Sequence, residues 1–366
     1  MLGPNVRVFA AAARYVQGPG AFDALGAVTT HLGDRAAVLI DEFMFPLLRD
    51  RAAQALAGDG VDAHVRAIGG EVTLSNIADV SRDVAPFAPD YVVGVGGGKA
   101  IDLAKGVARD LGVPMVTAPT IASNDSPASR VIAVYDDAHQ LTQVLSLPVN
   151  PACVVVDSAI IAAAPERFLA AGIGDAVAKR YEVAACAEVG GATFQGTPGL
   201  SAARILADGC DVLLRAHALD ALASVREGRP SESLERTLEA VILLSGLAFE
   251  NGGLSIAHAM TRGLMRCPES AQFLHGEHVA YGVLVQLALF EEPDAVLEDL
   301  RGFLASAGLP TSLGDLGLEA TAGTLETLVT ATLGAPHVSN APRPVDGANL
   351  RAAIQRVERS ARGSVA

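Results

Sequence analysis

The sequence contains no tryptophan, 4% aromatic residues, four cysteines and only three lysines among 27 basic residues. The cysteines, at 153, 186, 210 and 267, show no paired spacing, which argues against a disulfide framework and against a cysteine zinc site. No uninterrupted apolar run approaches the ~18 residues of a membrane span. The stretch Val8 to Ala13 is too short for a signal-peptide core and stops at Arg14. Basic surface is also scarce. With a net charge of −14, neither nucleic acid nor an anionic membrane is expected as a partner. What remains is 366 residues, half of them hydrophobic, enough for a large core and about two domains. A soluble, acidic, cytoplasmic protein is expected.

The first ~150 residues alternate β-branched runs with helical patterns. Ala36–Asp41, Tyr91–Gly97, Pro114–Pro119, Arg130–Asp136 and Ala152–Ser158 read as buried strands. Pro46–Gly58, Asn76–Ala85 and Ala100–Leu111 read as helices. This alternation predicts an α/β fold with a parallel sheet covered on both faces. Beyond Ser158 the strand signal disappears, and the Ala/Leu-rich remainder predicts an all-helical second half. The expected domains are 1–160 and 161–366. Weak structure is expected at Glu227–Ser233 and in the C-terminal tail.

In VVGVGGGKAIDLAKGVA a strand runs straight into a helix. Gly96, Gly97 and Gly98 let the backbone approach a ligand, and the helix that follows presents its positive end to a phosphate. A nucleotide-hydrolysing loop needs four residues between its glycines and Ser or Thr after the lysine. Here three residues separate Gly94 from Gly98, and Ala100 follows Lys99. The usual dinucleotide fingerprint also fails, because Lys99 stands where its third glycine belongs. A plain tight turn of small residues would look similar. The lysines tilt the reading toward phosphate: Lys99, Lys105 and Lys179 are the only three, and one stands at the mouth of this turn. Upstream, Asp41 and Glu42 end the first strong strand, where a carboxylate can accept from a ribose diol and repel a 2′-phosphate.

His31, His64, His139, His217 and His337 read as isolated surface or core residues. His258, in GGLSIAHAM, and His275 and His278, in FLHGEHVAYG, stand near expected helix starts. Asp175, in AAGIGDAVAKRYEV, reads as a third helix start after glycines. One carboxylate with two imidazoles leaves an open position, the pattern of a catalytic zinc.

Six stretches, RYVQGPGA, GVGGGKAIDLAK, VTAPTIASNDSPAS, GIGDAVAKRYE, SGLAFENGGLSIAHA and HGEHVAYGVLVQLAL, span Arg14 to Leu289. In order and spacing they closely resemble the glycerol dehydrogenases of the iron-containing (group III) alcohol dehydrogenase superfamily. The resemblance implies an N-terminal Rossmann-like domain for NAD, a helical domain carrying Zn2+, and an active site in the cleft between them. It implies zinc ligation by Asp175, His258 and His275, and pyrophosphate contacts from Gly96, Gly97, Gly98 and Lys99. Further cofactor contacts are implied for Asp41, Thr117, Thr120, Ser129 and Tyr135, and a substrate-hydroxyl contact for Asp125. The implied reaction is oxidation of glycerol or a related vicinal diol to the hydroxyketone by a homo-oligomer, often an octamer.

The chain departs from the family pattern in four places. Lys179 stands where iron-binding relatives have a histidine, which leaves three ligands and favours zinc. Asn124 replaces a common threonine, and the loop MRCPESAQ is unlike its counterparts. His278 replaces a usual lysine and reads as an exposed substitution rather than a pocket residue. A dehydroquinate-synthase-type lyase would share the plan but would need more basic residues than Lys179, Arg180, Arg262 and Arg266 supply. A catalytically idle NAD-binding homologue would not need the intact trio.

Overall fold

The structure is a computed structural model that describes residues 6–136 and 140–363. His139 lies outside the described residues. The strands are β1 Tyr15–Gly18, β2 Arg35–Asp41, β3 Asp62–Ile68, β4 Tyr91–Gly96, β5 Met115–Pro119, β6 Val131–Tyr135, β7 Leu141–Ser146 and β8 Cys153–Asp157. Among them lie α1 Leu25–Thr29, α2 Phe45–Ala57, α3 Leu74–Val84 and α4 Gly98–Leu111, and α5 Ser158–Ala162 follows β8. The chain continues as α6 Glu166–Glu188, α7 Ser201–Arg226, α8 Glu232–Leu238, α9 Ser245–Gly252, α10 Ile256–Leu264 and α11 His275–Leu289. It closes with α12 Asp294–Ser306, α13 Ala322–Leu333 and α14 Gly347–Gly363.

The chain divides into two compact units. One comprises Ala10–Pro165 and Ala223–Leu238; the other comprises Met1–Phe9, Glu166–Leu222 and Glu239–Ala366. The first break falls after Pro165, and α8 and the end of α7 count with the sheet.

In the sheet unit, six strands pair in the order β1-β8-β5-β4-β2-β3, all parallel. Strand alternation sorts β2 between two cores. Ala36, Val38 and Ile40 pack with Leu48, Ala52 and Leu56 of α2. Ala37 and Leu39 pack with Ile77 and Val80 of α3 and Leu103 and Val107 of α4. A sheet buried on both faces explains the continuous apolar runs in its central strands. The crossover from β2 leads outward to β3, and that from β4 leads the opposite way to β5. The strand order therefore reverses between β2 and β4, and ligands of such sheets bind at the carboxyl ends of that pair.

One expected strand needs correction, and three further strands escape the pattern. Arg130–Asp136 supplies β6, which pairs antiparallel with β7 in a separate two-stranded sheet. Strands β1 and β3 went unrecognised: β1 has four residues, and β3 is a half-exposed edge strand, DAHVRAI, whose polar residues mask its period. Strand β7 was missed for its exposure.

In the helical unit no strand occurs among the described residues beyond one isolated bridge, Ala192 to Pro198. Its glycines set how closely the helices approach. A Cβ on Gly276 would lie 1.8 Å from the Ala171 carbonyl oxygen, one on Gly174 2.5 Å from that of Gly276, and one on Gly282 2.4 Å from that of Ala257. Helices α6, α10 and α11 therefore meet backbone to backbone. The C-terminal tail, expected to be weakly ordered, forms α14. Arg301 donates to the Val357 carbonyl at 3.0 Å and to Ser360 Oγ at 2.6 Å, and Tyr281 Oη donates to Glu358 at 3.0 Å. No single helix among the described residues is long and apolar enough to cross a membrane.

Candidate active site

The glycine turn of the sheet unit lies at the strand-order reversal. Gly97 is the N-cap of α4 and no side chain caps that helix, so its first N–H groups are open to an anion. Gly96 has φ +149°, and a Cβ there would lie 2.7 Å from Ala100 Cβ and 2.8 Å from Asp41 Cβ. A Cβ on Gly97 would meet Ile121 Cδ1 at 2.8 Å, and one on Gly98 would meet Asn124 Nδ2 at 2.7 Å. The turn is thus a main-chain cradle: Gly96 admits no side chain, at Gly97 and Gly98 the tips of Ile121 and Asn124 would have to move aside, and Asp41 at the end of β2 backs directly onto it. One oxygen of Asp41 accepts from Phe43 N at 3.0 Å. Lys99 is 63% exposed and its ammonium lies 2.7 Å from Glu71.

The loop after β5 is braced from beneath by a buried cation. Lys105, fully buried, donates to Asp102 at 3.0 Å, to the Ser126 carbonyl at 2.8 Å and to the Val131 carbonyl at 2.8 Å. Asp102 in turn accepts from Ser126 Oγ at 2.5 Å and from Ala133 N at 3.0 Å. Neither residue belongs to the glycine turn of the sequence motif. The signal was present as a Lys at i+3 from an Asp inside an apolar helix. Thr117 Oγ1 donates to the Pro127 carbonyl at 2.8 Å, Thr120 N to the Gly96 carbonyl at 3.0 Å, and Val131 N to Ser129 Oγ at 3.2 Å. These three residues shape the loop. Burial first, with help from the Asp102 and Glu71 charges, pushes the Tyr135 phenol up to about 12, so it stays a neutral hydroxyl. Asp125 begins the short turn Ser126–Ala128 without capping it through its side chain. Asn124 Oδ1 takes that role, accepting from Ser126 N at 3.1 Å.

In the helical unit, Asp175, His258 and His275 come together, each offering one donor atom within 4.8 Å of the others. Asp175 is not at a helix start as expected; it is the tenth residue of α6. Gly174, directly before it, serves the close approach to α11 instead. His258 is the third residue of α10 and His275 the first of α11. His258 Nε2 lies 3.1 Å from Asp175 Oδ1, and His275 Nε2 lies 3.9 Å from the same oxygen. Asp175 is 2% exposed and His275 43%, so the trio has a closed side and an open one. Arg167 holds the first turn of α11 through Glu277, at 2.7 and 2.8 Å, while Glu277 accepts from Leu274 N.

Glu182, fully buried, orders His258. One oxygen accepts from Ser255 N at 2.8 Å and His258 N at 3.0 Å, capping α10 from another helix. The other lies 2.6 Å from His258 Nδ1. An ionised carboxylate can only accept, so Nδ1 carries the proton and Nε2 is left for the metal side. Lys179 Nζ is 2.5 Å from Asp175 Oδ1 and 3.4 Å from His258 Nε2. Burial alone would raise the Asp175 pKa, yet the Lys179 ammonium and the two imidazoles hold it well below the usual carboxylate range. Burial also opposes a charged His258, but Glu182 and Asp175 outweigh it and push the pKa up to about 9. Metal binding there would displace a proton. Glu182 was overlooked in the sequence, although Asp175, Lys179 and Glu182 follow at i, i+4 and i+7 along one face of α6. His278 is not an exposed substitution. It is buried, and its Nε2 lies 2.9 Å from the Ser270 carbonyl oxygen and 3.0 Å from Ser270 Oγ, tying the MRCPESAQ loop to α11.

A family model described as iron-containing alcohol dehydrogenase matches residues 12–158. The chain is 39% identical to a glycerol dehydrogenase of Pseudomonas putida over 305 residues, covering 83% of this chain and 84% of that one. It is 37% identical over 354 residues to a glycerol dehydrogenase of Thermotoga maritima, covering 95% and 96%. Its fold matches a crystal structure of a probable glycerol dehydrogenase from Sinorhizobium meliloti with a TM-score of 0.92, at 37% identity and with coverage of 98% and 99%. Fold, site and relatives make this protein an oxidoreductase of the dehydrogenase class. It belongs to the iron-containing alcohol dehydrogenase family, in the group that includes the glycerol dehydrogenases.

Proposed function

We propose that this enzyme oxidises glycerol or a related vicinal diol to the hydroxyketone, with NAD as acceptor and a zinc ion held by Asp175, His258 and His275. The observation that carries the reading is the convergence of those three donors, with Glu182 fixing the tautomer of one of them. The donor set fits zinc: one carboxylate and two imidazoles, an exposed side for substrate, and a lysine instead of a fourth donor. When bound, zinc supplies Lewis acidity that eases loss of the alcohol proton near neutral pH, and NAD supplies a hydride acceptor.

The chain's own groups do the positioning. The cradle at Gly96, Gly97 and Gly98 fits a pyrophosphate, since any side chain there would meet Asp41, Ile121 or Asn124. Asp41 accepts from the ribose diol and repels a 2′-phosphate, which favours NAD over NADP. Lys99 gives the mouth of the turn a cation, shared with Glu71. Asp125 accepts from the hydroxyl next to the reacting carbon and so selects a diol. Four free, buried cysteines suit a reducing compartment, and we assign the enzyme to the cytoplasm.

The test is a steady-state assay with glycerol, 1,2-propanediol and 2-propanol, with NAD and with NADP, before and after chelation and zinc addition. NAD-linked diol oxidation, lost on chelation and restored by zinc, is expected. No turnover of any alcohol would overturn the reading. Asp125→Ala should lower kcat/KM for the diols by roughly 10- to 150-fold, the value of a hydrogen bond to a charged group, and spare 2-propanol. Equal losses on all three alcohols would remove Asp125 from substrate selection.

A further inference from the structure

Helix α7 is 26 residues long and carries two apolar faces where a surface helix normally has one. The inner face is satisfied within the chain: Ala203, Ala207, Cys210, Leu214, Ala218 and Ala221 are buried. On the opposite side Ile205, Val212 and Leu219 are exposed by 69%, 64% and 44%, spaced seven residues apart. Between them on the same stripe fall Ala202, Gly209 and Ala216, and nothing lies within 4 Å of where a Gly209 Cβ would point. The half-buried Leu206 and Leu213 widen the stripe on one flank. This is a heptad seam with a large residue at one core position and a small one at the other.

Such a seam fits an inverted copy of itself. In an antiparallel pair each core layer sets one helix's large position against the other's small position. One register then seats Ile205 over the partner's Ala216, Val212 over the partner's Gly209, and Leu219 over the partner's Ala202. A parallel pair would stack valine on valine and glycine on glycine, leaving crowded and empty layers in turn. The charges favour the same arrangement. Asp208 and Arg215 lie seven residues apart on one flank, and inversion brings each beside the partner's opposite charge. Within the chain Asp208 already meets Arg204 at 2.9 Å, and Arg215 meets Asp299 at 3.1 Å, so both side chains are held along the flank. We propose that the exposed face of α7 is a two-fold interface on which a second copy of this chain packs its own α7 antiparallel.

The full-length enzyme tests this by sedimentation velocity and by cross-linking. Val212→Arg, at a solvent-exposed position close to the axis, should halve the assembly mass while circular dichroism and thermal midpoint stay as in the parent. Ile205→Cys/Ala216→Cys should form covalent dimers under mild oxidation, and neither single cysteine variant should. Within one helix these two positions are about 16 Å apart, too far for a disulfide in the same chain, and the native cysteines are buried. A monomeric parent, an unchanged mass in Val212→Arg, or absence of dimers in the double variant would overturn the proposal. Cross-linking by a single cysteine would point to a parallel pair and overturn it equally.

Discussion

The two halves of the chemistry are built from opposite materials. At the end of the sheet, the glycine turn is a site of main chain, made by excluding side chains: a Cβ at Gly96, Gly97 or Gly98 would lie within 2.8 Å of a neighbour. In the helical unit the site is all side chain, and glycine acts one residue away, Gly174 beside Asp175 and Gly276 beside His275, letting α6 and α11 come close enough for those two side chains to meet. A backbone site tolerates little change in its own turn but needs few outside supports. A side-chain site depends on every group that orients its ligands, as Glu182 orients His258 and Arg167 with Glu277 orients the start of α11. Each half nevertheless holds a buried lysine against a carboxylate, Lys105 on Asp102 and Lys179 on Asp175.

The largest effect that would sharpen this contrast is expected at Lys105. Lys105→Met leaves Asp102 facing Ser126 and Ala133 without its cation, and breaking a buried pair on one side costs about 3–5 kcal/mol. Denaturant unfolding should show that loss, with weakened NAD binding and unchanged metal content in the folded fraction. A stability within about 1 kcal/mol of the parent would mean that the loop does not rest on this pair.

Glu182→Gln comes next. The amide presents either an N–H to His258 Nδ1 or a weaker acceptor, and so loses control of the tautomer. Loss of such a partner typically costs ~10–100-fold in metal affinity. Competition with a chromophoric chelator reads that number, while NAD affinity should not move. Unchanged metal affinity would leave Glu182 as a helix cap only.

The smallest effect is expected at Asp41. Asp41→Gly should shrink the preference for NAD over NADP by roughly tenfold, the loss of about one charged hydrogen bond and one repulsion. The ratio of kcat/KM values measures it. An unchanged ratio would move cofactor discrimination to a neighbour such as Glu42.

The same contrast explains what could be read from the amino-acid order. The glycine turn is local, since strand, turn and helix follow one another without a break between Tyr91 and Leu111, and its strand and helix stand where the pattern places them. The metal trio is separated by 83 residues between Asp175 and His258, and only resemblance to a family links such positions. Even then the local reading of Asp175 failed, because glycines that serve helix crossing look like glycines that begin a helix. His278 failed for a related reason: a polar residue in an apolar helix reads as surface unless its partner, here Ser270 in the preceding loop, is known. Strand β3 hid because an edge strand keeps polar residues on its open side.

The central claim is that Asp175, His258 and His275 hold one catalytic metal ion independently of the cofactor site. The most direct measurement is elemental analysis of the parent and of Asp175→Ala after equilibration with zinc, paired with NAD titration on the same samples. The account predicts about one zinc per chain in the parent and almost none in the variant, with NAD affinity within about twofold and turnover lost by more than the ~100-fold that marks loss of an orienting partner. Zinc retained at parent stoichiometry in Asp175→Ala, with turnover intact, would contradict it.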